Sequence, residues 1–237
     1  MRIDKFLSDM GVATRREIKD AAKRGGVTVN GVPVRDSSVH IDPEKVTVSY
    51  LGRVVGYEKF VYVMLNKPDG YVSATEDSHL PVVTELLSEE LQKRGLFPVG
   101  RLDRDTTGLM ILTDNGRLSH TLLSPRGHVK KVYSFSAAEP LREGVEDEFR
   151  DGVTLADGYE CKSADIKLDP DRTSGLITLT EGKYHQIKRM VAAMGNKVTR
   201  LKRISFGDVV LDPTLSRGEW RYLTAEEIKT LERALED

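Results

Sequence analysis

Gly100-Arg101-Leu102-Asp103-Arg104-Asp105-Thr106-Thr107-Gly108-Leu109-Met110-Ile111-Leu112-Thr113-Asp114-Asn115-Gly116 is the stretch on which the reading of this 237-residue chain turns. A loop dense in charge runs into four consecutive apolar residues and stops at a Thr-Asp-Asn-Gly turn. Asp103 follows an apolar leucine and lies between Arg101 and Arg104. A carboxylate near arginine stays ionised, and an ionised carboxylate in a cleft serves as nucleophile or base. Asp105, Thr106 and Thr107 are short polar residues of the kind that satisfy loop amides. On these residues alone, the commoner use of such a position is a structural loop carboxylate paired with an arginine.

Upstream, residues 1–48 read as a small compact unit. Ile3, Phe6 and Leu7 have helical spacing. Thr14-Arg15-Arg16-Glu17 is a capping box, and the helix it opens turns Ile18, Ala21 and Ala22 inward and ends near Gly25-Gly26. Asn30-Gly31 between alternating valines predicts a tight hairpin, because both turn positions require positive φ. Residues 46–48 form a third short strand, and residues 49–59 read as a connector that can act as a hinge. Downstream, strands are expected at 60–65, 131–137 and 176–180. Helices are expected at 141–150, at 184–194 with Ile187, Met190, Val191 and Met194 inward, and from Thr224 to the C-terminus. Strands and helices mix without regular βαβ alternation, so the fold class is α+β with a mainly antiparallel mixed sheet.

Composition narrows the partners. A charged fraction of 31% with 39% hydrophobic residues excludes a disordered tail, and no apolar run approaches the roughly 18 residues of a membrane span. One cysteine, Cys161, leaves no internal disulfide, and with no signal peptide at the N-terminus the expected compartment is the cytoplasm. None of His40, His79, His120, His128 and His185 has metal-ligand spacing to another His or Cys, so no metal site is expected. The net charge of −1 hides a segregated distribution. Residues 182–207 hold seven bases and no acid, whereas residues 139–160 hold eight acids against two bases. Arg15, Arg16, Lys19, Lys23 and Arg24 also repeat on one helix, partly offset by Glu17 and Asp20. Segregation of this kind orients one face toward a polyanion although the total is neutral.

Several ordered motifs then coincide. Gly100-Arg101-Leu102-Asp103 with Thr106, Gly108 and Leu109, followed by Leu112-Thr113 and Gly116, resembles the G-R-L-D-x-x-T-x-G-L…L-T-x-x-G signature of pseudouridine synthases of the RsuA type. Residues 64–72 (Met-Leu-Asn-Lys-Pro-Asp-Gly-Tyr-Val) are similar to the family's opening catalytic strand and turn. Lys130-Lys131-Val132-Tyr133 is similar to its K-x-Y element, and residues 181–190 (Glu-Gly-Lys-Tyr-His-Gln-Ile-Lys-Arg-Met) to its E-G-[KR]-Y-H-Q-[IV]-K-R-M element. The N-terminal unit, with residues 2–7 and the Val-Asn-Gly hairpin, resembles an S4 RNA-binding module. The resemblance covers essentially the whole chain and implies an S4-like domain with linker at 1–58 and a pseudouridine synthase domain at 59–237.

The resemblance also implies roles. Asp103 matches the essential aspartate, Tyr133 the tyrosine that stacks on the target base, Lys188 the basic partner of the aspartate, and Arg101 the arginine that helps hold the flipped nucleotide. Arg189 is a weaker candidate, since neighbours on a helix point about 100° apart, and His185 and Gln186 are expected to brace the site. Arg2, Lys5, Arg15, Arg16, Lys19, Lys23, Arg24, Asn30 and Arg189 are the expected RNA contacts. The implied reaction breaks the N1–C1′ bond of a uridine, turns the uracil and rejoins it through C5, with no redox change and hence no cofactor. The length and the Tyr133 and Lys188 segments most resemble the small-subunit enzyme, and that resemblance implies its target, uridine 516 of 16S rRNA. The same reaction on 23S rRNA, or a non-catalytic RNA-binding or ribosome-assembly protein, are the alternatives. A monomer acting on rRNA or on a partly assembled small subunit, away from membranes, is expected.

Overall fold

The computed structural model describes residues 1–124 and 129–233. His128 and the expected run of the last helix to the C-terminus lie, wholly or in part, outside these residues. The chain forms two compact units, Met1–Val61 with Thr84–Phe97, and Tyr62–Val83 with Pro98–Asp237.

In the first unit, α1 (Ile3–Asp9) and α2 (Arg15–Lys23) pack together over a four-stranded sheet of order β2-β1-β3-β4. Its strands are β1 (Val27–Val29), β2 (Val32–Pro33), β3 (Val48–Tyr50) and β4 (Arg53–Val55). The expected capping box forms: Thr14 Oγ1 accepts from the Glu17 amide and Glu17 Oε2 accepts from the Thr14 amide. The apolar stripe closes over Ile3, Phe6, Leu7, Ile18, Ala22 and Val27, all essentially buried. Each such large side chain contributes roughly 1.5–3 kcal/mol by leaving water. Asn30 (φ 50°) and Gly31 (φ 78°) make the hairpin turn between β1 and β2. The connector expected at 49–59 is not structureless. Leu51 (φ 49°) and Gly52 (φ 83°) form a second tight turn, which pairs β3 with β4 and leaves Tyr50, Val55 and Tyr57 on the core. A later segment, α3 (Glu89–Arg94), joins this unit; Ser88 caps it and Arg94 donates to the Glu58 carbonyl at 2.6 Å.

The second unit is built on one mixed sheet of order β13-β5-β7-β11-β8-β10-β9. The strands are β5 (Tyr62–Lys67), β6 (Phe97–Pro98), β7 (Thr107–Thr113), β8 (Lys131–Ala137), β9 (Asp165–Leu168), β10 (Ser174–Leu179), β11 (Val198–Phe206), β12 (Val209–Val210) and β13 (Trp220–Tyr222). Pairing along that order is antiparallel except between β7 and β11, which run parallel. The helices are α4 (Gly116–Leu123), α5 (Val145–Asp151), α6 (Gln186–Ala193) and α7 (Ala225–Glu232). β5 and β7 are buried along their whole length, which is why both read as continuous apolar runs.

Two helices start later than the sequence suggests. Gly144, at φ 83°, halts α5 short of Leu141, whose amide donates to the Arg172 carbonyl instead. His185, at φ 48°, begins α6 and leaves Tyr184 outside it. Strand β11, within the basic stretch, was not expected at all. Its parallel seam with β7 requires Gly108, where a Cβ would collide with the Arg203 backbone.

Candidate active site

Asp103 sits on the loop entering β7, and this loop is held from beneath. Lys67, fully buried at the end of β5, donates to the carbonyls of Pro68 (3.1 Å), Arg104 (3.0 Å) and Thr106 (2.9 Å). Burial pulls its ammonium down to about 8 against the attraction of Asp69, Asp105 and Asp103. Ser73 clamps the residue before Asp103, donating to the Leu102 carbonyl at 2.7 Å and accepting from its amide at 3.0 Å. Two buried side chains on the strand-and-turn 62–73 thus fix the backbone that carries the carboxylate.

The cation beside Asp103 comes from α6. Lys188 Nζ lies 2.9 Å from Asp103 Oδ2 and 2.5 Å from Asp105 Oδ1. Burial opposes the Lys188 charge, but hydrogen bonds and the charges of both carboxylates outweigh it and hold the ammonium above its ordinary value. Asp105 is pushed up by burial and more strongly down by Lys188, so its carboxyl titrates below the usual range. His185 Nε2 is 3.6 Å from Asp103 Oδ1, beyond a direct hydrogen bond.

The local charges differ from those expected along the chain. Among the described ion pairs neither Arg101 nor Arg104 holds Asp103; Arg104 Nε donates to the Gly70 carbonyl at 3.2 Å, and Arg101 lies exposed on the cavity wall. Nor do Thr106 and Thr107 satisfy loop amides through their hydroxyls. Thr107 donates to the Leu201 carbonyl, and buried Thr106 Oγ1 has no partner.

Asp103, Arg101 and Tyr133 line one cavity of about 750 Å³. Tyr133 is nearly buried on β8, opposite Arg203 of β11. The loop before α6 also lines the cavity and is braced by Gln186, which accepts from the Lys183 amide at 2.9 Å and donates to Glu181 at 2.6 Å. Glu181 also accepts from the Lys162 amide and the Tyr159 hydroxyl, each at 2.9 Å. Exposed Tyr184 stacks on His185 at 3.8 Å with the planes 17° apart. A left-handed backbone at a non-glycine residue such as His185 costs about 1–3 kcal/mol and persists where the surroundings over-determine it. The cavity therefore offers a fixed carboxylate with a charged partner, both about a quarter exposed and so at its mouth, and an aromatic wall, in a volume typical of small-molecule and cofactor sites.

The seven bases of residues 182–207 do not act as one face. Lys188 serves Asp103, Arg189 pairs with Asp157 at 2.5 Å and donates to the Tyr184 carbonyl, and Arg203 is buried. Alternation along β11 turns Leu201, Arg203 and Ser205 inward and Arg200 and Lys202 outward. In the N-terminal unit Arg15, Arg16, Lys19, Lys23 and Arg24 are exposed on or just after α2. Arg2 makes a two-pronged bond to Asp4, Lys5 pairs with Asp9 at 2.6 Å, and Asn30 Oδ1 accepts from the Thr47 amide. Ser73 and Arg203 were not singled out from sequence, and Lys67, Thr106 and Lys131 were read only as members of the matched motifs, with no role of their own. A lysine closing an apolar strand and an arginine in phase with buried strand neighbours were the available signals.

Residues 61–193 match the family model described as RNA pseudouridylate synthase. The chain belongs to the RNA pseudouridylate synthase family. The synthase also carries an S4 domain, matched over residues 1–50. It is 39% identical over 234 residues to ribosomal small subunit pseudouridine synthase A of Escherichia coli K12, covering 98% of this chain and 100% of that one. A Bacillus subtilis relative described as an uncharacterized RNA pseudouridine synthase is 44% identical over 98% of both chains. A solved structure described as a pseudouridylate synthase superposes with a TM-score of 0.69 at 38% identity, covering 98% of this chain and 99% of that one. The enzyme is a pseudouridine synthase of α+β architecture that acts on RNA. Among its described residues no three His, Cys, Asp or Glu side chains are grouped to hold a metal ion, and no helix is long and apolar enough to cross a membrane.

Proposed function

We propose that the synthase converts one uridine of small-subunit ribosomal RNA, position 516 of 16S rRNA, to pseudouridine in the cytoplasm, with Asp103 as the catalytic carboxylate. The observation that carries the reading is the Asp103–Lys188 pair at 2.9 Å, set at the mouth of a cavity walled by Tyr133. The choice of RNA rests on the full-length similarity to small-subunit synthases of Escherichia coli and other bacteria.

Substrate RNA docks through phosphate contacts from the exposed bases of α2 and the N-terminal unit, residues 1–58, as a monomeric enzyme on free or partly assembled small-subunit rRNA. The target uridine leaves its stack and enters the cavity of residues 59–237, an unstacking cost of a few kcal/mol offset by stacking on Tyr133 and by Arg101 holding the flipped nucleotide. Asp103, aligned by Lys188, attacks the sugar or removes a sugar proton as the N1–C1′ bond breaks. The uracil turns and rejoins through C5.

Mapping pseudouridine in rRNA from a deletion strain and from its complemented control tests this. The modification is expected to vanish from 16S position 516 alone and return on complementation. Loss at a 23S position instead would move the substrate to the large subunit, and no loss anywhere would contradict the assignment.

A further inference from the structure

Three polar groups lining the cavity take no part in holding Asp103. Arg203 is 2% exposed, its Nε donates to the Leu109 carbonyl at 2.8 Å, and a terminal guanidinium nitrogen has no hydrogen-bond partner. Lys131 donates to the Val129 carbonyl at 2.9 Å. Neither cation is in an ion pair among the described residues. Thr106 Oγ1, also 2% exposed, is the third group and is likewise unpartnered. Strand register sets Lys131 opposite Phe206 and Arg203 opposite Tyr133. Both cations sit over the Phe206 ring, Arg203 Cζ at 5.3 Å and Lys131 Nζ at 5.5 Å from its centroid. The cluster is costly as it stands. Burial and then the Arg203 charge bring Lys131 down to about 8, opposed more weakly by Glu181. Unpaired buried charge is strongly destabilising, so its presence in a cavity wall points to an anion that enters or forms there.

The reaction proposed for this cavity forms one. When N1–C1′ breaks, the bonding pair stays on N1 and the negative charge spreads to uracil O2 and O4. The sugar carbon is meanwhile captured by the Asp103 carboxylate, or the sugar loses a proton to it. We propose that Arg203, Lys131 and Thr106 form the anion-stabilising floor of the cavity, donating to the carbonyl oxygens of the detached uracil while it turns to present C5. C5 then bonds to C1′, displacing the carboxylate or adding to the unsaturated sugar, which takes its proton back. The C5 proton leaves and N1 gains one, so the isomerisation balances without another reactant. Donors aimed at charge that develops during reaction act most strongly in such water-poor sites.

The inference rests on the pseudouridine synthase chemistry of Asp103, and the test separates the two. The full-length enzyme is assayed in single turnovers on an rRNA fragment carrying uridine, or 5-fluorouridine, at the target position, scoring N1–C1′ cleavage. Fluorine withdraws electrons and makes the departing uracil anion less dependent on the protein. Lys131→Met, at a part-buried position and checked by its thermal melt, is expected to slow cleavage of uridine about 10²-fold, in line with loss of one such donor, and of 5-fluorouridine by about tenfold or less. Thr106→Val is expected to show the same selectivity with a smaller loss, and Arg203→Lys to retain more activity than Arg203→Met. Equal slowing on both substrates, or none, overturns the anion floor while leaving the Asp103 chemistry standing. Failure of the wild-type enzyme to cleave either substrate overturns both.

Discussion

The mouth and the floor of the cavity treat charge in opposite ways. At the mouth, Lys188 lies between Asp103 and Asp105, and each charge has an opposite neighbour within 3 Å. On the floor, Arg203 and Lys131 lie over one phenylalanine ring with no carboxylate partner among the described ion pairs. A compensated cluster is rigid and needs no ligand to be stable, as suits a group that must meet the sugar in one geometry. An uncompensated cluster is held in place by the surrounding fold and gains most when negative charge arrives. The difference separates alignment of the reacting carboxylate from stabilisation of what leaves it.

Removing the shared cation at the mouth breaks that contrast most severely. Lys188→Met leaves two neighbouring carboxylates facing each other, and single-turnover pseudouridine formation is expected to fall by about 10²–10³-fold, with RNA affinity changed only a few-fold. A Lys188→Met enzyme with near-normal turnover would show that Asp103 needs no cation. Next in size is the support beneath the mouth. Lys67→Met leaves the carbonyls of Pro68 and Thr106 without that donor, while the Arg104 carbonyl keeps the Gly70 amide at 3.0 Å, and each orphaned buried group costs about 1–3 kcal/mol. Thermal unfolding should report a large destabilisation; an unchanged melt would mean that the loop is held elsewhere.

Proton titration sharpens the comparison further. The floor works as a cation, and Lys131 loses its proton as pH rises through about 8, so kcat/KM is expected to decline between pH 7 and pH 9. Lys67 titrates in the same range, so Lys131→Met should leave a shallower decline rather than a flat line. A profile that rises over this interval in the wild-type enzyme would contradict the sign. The smallest expected effect lies outside the cavity. Charge reversal at Arg16 and Lys19 of α2 should raise KM for rRNA and lower the salt dependence of binding by about one log–log unit per lost phosphate contact.

Much of the mouth was legible in the chain, because its parts are local or carried by motifs. The Asp103 loop declares itself within a few residues, as the Thr14 capping box and the Asn30-Gly31 hairpin do in the separate N-terminal unit. Lys188 came through family resemblance, since nothing local links residue 188 to residue 103. The floor was hidden for a physical reason. Arg203 and Lys131 meet only through pairing of β11 with β8, and β11 lay inside a stretch that reads as seven surface bases. Alternation of Leu201, Arg203 and Ser205 carried the burial signal, but a charged residue at an inward position is usually discounted. Residues 49–59 were misread because Leu51 adopts a positive φ seldom found outside glycine and asparagine.

The most direct measurement of the central claim is pseudouridine formation by purified Asp103→Asn enzyme on the target rRNA, beside RNA retention by the same preparation. The substitution preserves shape and removes the charge that Lys188 holds. Binding within a few-fold of wild type with no detectable product is the predicted result, and product formed at a rate near wild type would contradict the account.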